Sequence, residues 1–464
     1  MSESVTPGTV GNVSTMFTGL AFQLDVTNVE YAGLSGMVGA RRYCYNQCVD
    51  IIKANQRIFS FEQAAGVALE SRTPILGFDD LRRWWMMTKP VWAGKYSWWL
   101  FDQAQRDTHK AVSNWLKGQT RFPTFKAKHK AKARFTVIGR ECRLEAGRLR
   151  LPKFGWVRIK AADPGQAKLR RLLRAGKAKL LSVTVTLRPD GTVWATVKVE
   201  RTTTWTPPPP APVVAGVDVG AVRHAVVATS NGTVLAEAGS ARRRRDAQPG
   251  ITRSAQQMAR RRRKGREQSN RYLKAKRRHA KRHARAAAGR DNDLHVLSKR
   301  IVACGAGFIV RETLNVDSMM DTPDPIPDPL VEGGFLPNGA AHAASRNTAL
   351  ADASLATLHR YVDYKADRAG VIILTAPQYF PSSKLCPDCH VVIPKLPDDT
   401  RNITCHVCGH IRDRDERAGI NLAVWGETEL FGEPTPVTGT HPDGQATSSP
   451  VTTTSTQGCN QPPF

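Results

Sequence analysis

The chain has 464 residues, long enough for two to four domains with separate cores, and its 41% hydrophobic content is ordinary for a globular protein. No run of about twenty apolar residues is present, and the start MSESVTPGTV lacks the basic-then-apolar order of a secretory signal, so a cytoplasmic location is expected. A formal charge of +28 is unfavourable unless a polyanion neutralises it, which points to nucleic acid; a membrane-surface role needs a basic helix with a clean apolar face, and none is legible.

From about residue 22 to 118 the polar and apolar residues alternate at helical spacing, most clearly over 40–59 and 96–116, and predict a helical region. Its tryptophans Trp84, Trp85, Trp92, Trp98, Trp99 and Trp115 read as core and helix-contact residues, with one or two available to stack on bases. From 125 to 204 the signal changes to strands. Val183, Val185 and Leu187 alternate toward one face, as do Val193, Ala195, Val197 and Val199. Between them Arg188-Pro189-Asp190-Gly191 supplies turn chemistry, so a hairpin is expected, within a small β-barrel. Pro207 to Pro210, Ala211 and Pro212 form a stiff linker. A second break at 321–338, rich in Pro, Asp and Gly, reads as a mobile loop, and 431–464 as a disordered tail.

After the linker, an apolar run ends on Asp218, followed by a hairpin returning through Asn231-Gly232. An aspartate on a buried strand is costly unless a cation or donors compensate it. A second short apolar run ends on Glu312, and Asp413-Arg414-Asp415 opens a helix through Ala418, Ile420, Leu422 and Val424. Each acid taken alone is as readily structural as functional. Taken in this order, three acids from two strands and a helix could converge on a divalent metal pair, of the kind that activates water on one side of a phosphodiester and stabilises the leaving oxygen on the other.

The nine cysteines divide into two groups. Cys386, Cys389, Cys405 and Cys408 form C-x2-C-x15-C-x2-C, the spacing of a closed, structural zinc ribbon; Cys44, Cys48, Cys142, Cys304 and Cys459 are scattered. His390, His406 and His410 are surplus to the four ligands and read as surface or nucleic-acid-facing residues. The ribbon immediately precedes Asp415, so zinc is expected to brace the turn presenting that carboxylate. Between the first two carboxylates lies a dense basic run, with Arg242 to Arg245, then Arg260, Arg261, Arg262, Arg263, Lys264, Arg266, Arg271, Lys274, Arg278, Lys281, Arg282 and Arg285. Its alanines and glutamines favour helix, and three- and four-residue steps from Arg271 to Arg285 line one face. Contacts of this kind go to phosphates and carry little sequence preference.

GVDVG around Asp218, the strand ending on Glu312, YFPSSKLCPDC, TCHVCGH and DRDERAGINLA resemble the split RuvC motifs and inserted zinc ribbon of the TnpB family, relatives of the compact type V CRISPR effectors. HKAVSNWLKG at 109–118, FPTFKAK at 122–128 and LPKFGWVRIK at 151–160 extend the likeness over nearly the whole chain except the tail. The resemblance implies a multidomain α+β architecture. A wedge β-barrel (1–21 and 125–206) would be interrupted by a helical recognition domain (22–124). An RNase H-like RuvC α/β nuclease domain would follow from 213 to 385, with a basic helical segment at 242–300 and a mobile loop at 321–345; its third motif would lie at 410–430, after the inserted zinc ribbon at 386–409.

It also implies an RNA-guided DNA endonuclease that binds a guide RNA and cuts double-stranded DNA beside a short flanking motif, through one Mg2+ site on Asp218, Glu312 and Asp415. Asp413 would be accessory to that site, and Zn2+ structural. Two departures from the family pattern stand out. Arg417 replaces an asparagine, beside Gly419 where alanine is usual, and could partly replace a metal or clamp a phosphate; His390 replaces the glycine after the second ribbon cysteine. Readings that remain open are a transposon-encoded enzyme or a CRISPR effector in antiviral defence, a guided binder that silences without cutting, an unguided zinc-ribbon nuclease or structural DNA-binding protein, and either a monomer or a dimer.

Overall fold

The computed structural model describes residues 14–145, 147–160, 164–203, 209–331, 333–393 and 401–432. The chain falls into two units, Met1–Thr206 with Thr252–Ala284, and Pro207–Ile251 with Arg285–Phe464. No described helix is long and apolar enough to cross a membrane.

The first unit opens with strand β1 (Ser14–Asp25), followed by helices α1 (Asn28–Ala64), α2 (Phe78–Thr88) and α3 (Trp98–Leu116). Then come β2 (Arg134–Ile138), β3 (Arg143–Glu145), β4 (Arg148–Leu151), β5 (Gly155–Ile159), α4 (Pro164–Arg174), β6 (Ala178–Leu187) and β7 (Val193–Thr203). The helical region starts later than its periodicity predicts. Leu20, Phe22 and Leu24 alternate inward on β1, which pairs with β7 from Ser14↔Thr203 to Leu24↔Val193. Thr27 then stops the strand and starts α1 as half of a capping box with Glu30.

The expected hairpin is β6–β7, and its inward residues Val183, Val185, Val193, Ala195, Val197 and Val199 are fully buried. Gly191 takes φ +85° in the turn, where Asp190 Oδ1 accepts the Thr192 N–H at 2.9 Å. The seven strands pair in the order β2-β6-β7-β1-β5-β4-β3, a linear series with β2 and β3 at its ends rather than a ladder closed into a barrel. Trp85 is buried against Phe101, while Trp84, Trp98, Trp99 and Trp115 pack around the same core. Trp92 is the most open of the six, at 37% exposure, edge-on to Tyr43.

The second unit contains β8 (Val214–Asp218), β9 (Arg223–Ala228) and β10 (Val234–Gly239). The basic run forms two helices, α5 (Arg243–Ala259) and α6 (Asn270–Val302), whose residues divide between the units. Next are β11 (Phe308–Arg311), α7 (Val316–Met319), β12 (Ile326–Pro327), β13 (Phe335–Leu336), α8 (Ala340–Ala353), α9 (Leu355–Ala369), β14 (Ile372–Thr375), β15 (Asn402–Thr404), β16 (Ile411–Asp413) and α10 (Arg414–Phe431). The loop expected at 321–345 is partly structured. Ile326 pairs with Leu336, and α8 starts at Ala340 because Asn338 Oδ1 accepts the Ala340 N–H and the alanines that follow favour helix. Pro209, Pro210 and Pro212 are exposed and outside regular structure; Pro207, Pro208 and the tail from 433 lie outside the described residues.

The five-stranded sheet runs β10-β9-β8-β11-β14, with β8, β11 and β14 parallel and β9 and β10 antiparallel. Its pleat separates two cores. Ala215, Val217 and Ile309 face α6, α8 and α9, while Val214 and Val310 face α10 with Leu422. Gly216 also faces α10, and the helix approaches so closely that a Cβ there would lie 1.9 Å from the Gly419 carbonyl oxygen.

Candidate active site and metal centre

Strand alternation fixes where the first two acids point. Asp218 follows Val214 and Gly216 on the α10 side of β8, and Glu312 comes directly after β11, in the next position after Phe308 and Val310 on that side. Arg311 pairs with Val217 in the parallel ladder, so Glu312 and Asp218 come next to each other at the strands' C-terminal ends. Asp415 lies in the first turn of α10, the helix packed across those strands. Asp218 is half-buried at the mouth of the sheet, and the desolvation there, then the charges of Glu312 and Asp415, push its carboxyl above its ordinary range; Arg414 and Arg401 oppose the shift.

The three acids share one electrostatic field, but their oxygens are not drawn into one tight cage. Among the described residues, the group whose ligand atoms all lie within 4.8 Å of one another is the cysteine set. Two of the carboxylates are instead held by protein donors. Arg401 donates to Asp415 Oδ2 at 2.9 Å and Oδ1 at 3.3 Å, and to Asp413 Oδ2 at 3.1 Å. The Ser382 hydroxyl donates to Glu312 Oε1. A cluster of three acids that raises the proton affinity of its own member suits a divalent cation, whose charge would relieve that repulsion.

Asp413 is the N-cap of α10, accepting the N–H groups of Asp415 at 2.9 Å and Glu416 at 3.3 Å. Its carboxyl is held below its ordinary range: the cost of burial is outweighed by the Glu416 N–H, the Arg401 charge, the Asp415 N–H and the Arg223 charge. Arg223, at the start of β9, donates to Asp413 at 2.9 Å and Glu416 at 3.2 Å. Arg417 points elsewhere. It is fully buried and donates from Nη2 to the Ile403 carbonyl at 2.9 Å, so it offers a phosphate no surface. A cation that bonds Asp415 directly is Arg401, which sequence reasoning missed. It sits fourteen positions away, and only the β15–β16 hairpin, with Asn402 opposite Asp413, brings it back to the helix start.

The cysteines come together as their spacing predicts. Cys386 and Cys408 Sγ are 3.6 Å apart, and Cys389 and Cys405 Sγ 3.5 Å. A tetrahedral zinc with bonds near 2.3 Å puts sulfurs about 3.8 Å apart, so the set fits that ion. The Cys408 N–H, against burial and aided by the Val407 N–H, pulls the Cys405 thiol down to about 6. Against the Val391 N–H, burial and the neighbouring thiols push Cys389 up to about 12, so without a cation Cys405 is the thiol nearest the thiolate that zinc requires. Of the three spare histidines, His406 is exposed as expected. His410 is paired with Asp388 inside the ribbon, so it does not face outward freely. His390 adopts φ +56°, a left-handed backbone that glycine takes without strain, which fits the glycine that the family resemblance puts at this position.

The cations singled out in the basic run are all exposed. Arg260, Arg261, Arg262, Arg263 and Lys264 occupy the turn between α5 and α6, and Arg271, Lys274, Arg278, Lys281, Arg282 and Arg285 lie along α6.

A family model described as "Cas12f1-like, TNB domain" matches residues 356–422, and one described as "Probable transposase" matches 195–322. A Mycobacterium tuberculosis protein described as "Putative RNA-guided DNA endonuclease" is 30% identical over 429 residues, 88% of this chain and 86% of its own. The chain belongs to the TnpB-like family of RNA-guided DNA endonucleases. A Streptomyces pristinaespiralis relative with the same description is 27% identical over 404 residues, 86% of this chain and 87% of its own. Among solved structures, the "Cryo-EM structure of the Cas12f1-sgRNA-target DNA complex" aligns with 86% of this chain and 83% of its own, at 10% identity and a TM-score of 0.48. Within this TnpB-like chain, the transposase match contains Asp218 and Glu312, and the TNB match contains the four cysteines and Asp415.

Proposed function

We propose that the protein is an RNA-guided DNA endonuclease with a single RuvC-type carboxylate site formed by Asp218, Glu312 and Asp415. The observation that carries the reading is Asp218 at the end of β8 beside Glu312, one residue past the end of parallel β11, with the charges of Glu312 and Asp415 both acting on Asp218. The sheet order, three antiparallel strands continued by two parallel to the central one, supports the RNase H-like reading of this unit. A wedge unit of β1 to β7 with α1 to α3 inserted, and a ribbon at 386–409, complete the proposed architecture.

The three carboxylates would hold Mg2+, which when bound supplies an activated water and stabilises the leaving oxygen of the cut phosphodiester. The protein's own groups prepare that site. Ser382 fixes one oxygen of Glu312, Asp413 caps the helix that presents Asp415, and Arg401 balances the carboxylate pair at its start. Zn2+ on Cys386, Cys389, Cys405 and Cys408 closes the ribbon from which Arg401 reaches back. The exposed cations of α6 and the preceding turn contact phosphates of the guide RNA and of the target DNA, while base pairing reads the sequence beside a short flanking motif.

The test is expression with the native flanking DNA, sequencing of co-purified RNA, and Mg2+-dependent cleavage of a target library with randomised flanks. A bound RNA of defined ends, and cutting that Asp218→Ala or Glu312→Ala abolishes while guided binding persists, is the expected outcome. Normal cutting by either variant would overturn the assigned site. Guided binding without cutting by the parent protein would replace the nuclease with a silencing protein.

A further inference from the structure

We propose that Ser382 and Asn421 are positioning residues for Glu312, and that they couple its carboxylate to the first cysteine knuckle of the ribbon. The inference rests on the assignment of Glu312 to the metal site and adds a part that neither the carboxylates nor the cysteines supply.

Ser382 and Asn421 are 3% and 1% exposed, so their polar groups have almost no access to water and must find partners in the protein. They find them in series. The Ser382 hydroxyl, with one proton to give, donates to Glu312 Oε1. Asn421 spends its side-chain N–H donors on two carbonyls, that of Ser382 at 2.6 Å and that of Leu385 at 2.7 Å. Leu385 directly precedes Cys386, whose own N–H is held by the Val391 carbonyl at 2.9 Å as the knuckle turns back. A continuous path therefore runs from the knuckle, through one amide on α10, to the serine that touches the carboxylate.

The path reaches only one side of Glu312. Among the described residues no donor holds Oε2, which leaves that oxygen for a ligand. A glutamate loses more side-chain freedom on being fixed than an aspartate does, and Glu312 sits just past the end of its strand, where the ladder no longer restrains it. A hydroxyl donor buried against one oxygen removes that freedom before the cation arrives. Groups that orient metal ligands in this way commonly change metal affinity about 10–100-fold when removed. Asn421 lies on α10 six residues after Asp415, so the same helix carries one carboxylate and braces the serine that sets another.

The experiment measures Mn2+ binding to the full-length protein by electron paramagnetic resonance, and the Mg2+ dependence of guided cleavage, for Ser382→Ala, Ser382→Thr and Asn421→Ala. Zinc content and guided DNA binding report whether the fold is intact. Ser382→Ala is expected to weaken Mn2+ binding about tenfold and to raise the Mg2+ needed for half-maximal cutting by a similar factor, with zinc and DNA binding unchanged. Ser382→Thr keeps the hydroxyl and is expected to restore both. Parent-like Mn2+ affinity in Ser382→Ala overturns the proposal, as does a zinc-loaded Ser382→Thr that is as defective as the alanine variant. Asn421→Ala is expected to shift Mn2+ binding in the same direction while zinc is retained; an unchanged affinity removes the link to the knuckle. Asp218→Ala and Glu312→Ala serve as references. If these also bind Mn2+ like the parent, the carboxylate assignment falls together with this inference; if they fail to bind and Ser382→Ala does not differ from the parent, only the inference falls.

Discussion

Asp218 works against the stability of the metal-free protein. Burial and two neighbouring acids raise its proton affinity in the folded state, whereas in the unfolded chain it titrates near 3.9. The folded protein therefore holds this proton over a pH range in which the unfolded chain has lost it. The stability associated with that proton is full below about 4 and is lost as pH rises through the elevated folded value. In magnesium-free buffer at neutral pH, Asp218→Asn is expected to raise the melting temperature by about 2–4 °C, the equivalent of roughly 1 kcal/mol in a domain of this size. The gain should shrink toward pH 5, and cleavage should be lost; a scanning-fluorimetry series over pH reads both trends, and an unchanged or lower melting temperature at pH 7 would contradict the assigned repulsion. His390 is a second strained position, with φ +56° in a ribbon turn. His390→Gly is expected to stabilise the zinc-bound ribbon by about 1 kcal/mol, read as slower zinc release to a chelator, since a left-handed backbone costs a side-chain-bearing residue about that much. That glycine is expected at this position comes only from the family resemblance, and the reason for it is not legible at all, because the sequence does not display φ. Arg401 is equally hidden, since its partner Asp415 becomes a neighbour only through the pairing of β15 with β16.

At the scale of elements, strand and helix periodicity carries most of what can be read. The apolar run ending on Asp218, the run ending on Glu312 and the helix after Asp413 all form where the sequence places them, because each satisfies its own backbone and buries a continuous face. The boundary at 22–28 is not legible because β1 shares its apolar residues with a helical pattern, and only the long pairing with β7 decides between them. What periodicity cannot supply is the distance between elements, and here glycines set it. A Cβ on Gly216 would meet the Gly419 oxygen at 1.9 Å and the Ala423 nitrogen at 2.7 Å, both backbone atoms that cannot turn aside. Gly216→Ala should therefore push α10 off β8, destabilising the second unit by about 1–3 kcal/mol and moving Asp415 away from its partners. Gly419→Ala, which installs the residue that the family resemblance puts there, meets the Ala228 Cβ at 3.2 Å and the Gly216 oxygen at 3.4 Å, a tight fit that a shift of a few tenths of an ångström relieves, and it gains helix propensity. It is expected to keep both stability and cleavage. Urea unfolding with a cleavage assay separates the two glycines, and equal effects would mean that helix propensity rather than close approach governs this contact.

For the whole molecule, the property that outweighs the others is the charge of +28, which no core or site explains. Sequence spacing alone puts Arg271, Lys274 and Arg278 on one helical face, and all three are exposed on α6, with the five cations from Arg260 to Lys264 exposed in the turn before it. Cations this close repel one another unless phosphates lie alongside, so their exposure is informative about what they meet. If each neutralises one phosphate of a bound duplex, each releases condensed counterions and adds about 0.9 to the slope of log affinity against log salt. Replacing Arg271, Lys274 and Arg278 together by glutamine should therefore flatten that slope by about 2–3. It should also weaken binding by a similar factor for matched and unrelated targets, because phosphate contacts carry no sequence information. Titrations of the guide-bound protein between about 50 and 200 mM salt, the range over which such contacts lose most of their affinity, measure the slope directly. An unchanged slope would make this face a solvated surface, and a loss confined to matched targets would mean that these side chains take part in reading the heteroduplex rather than in holding its backbone.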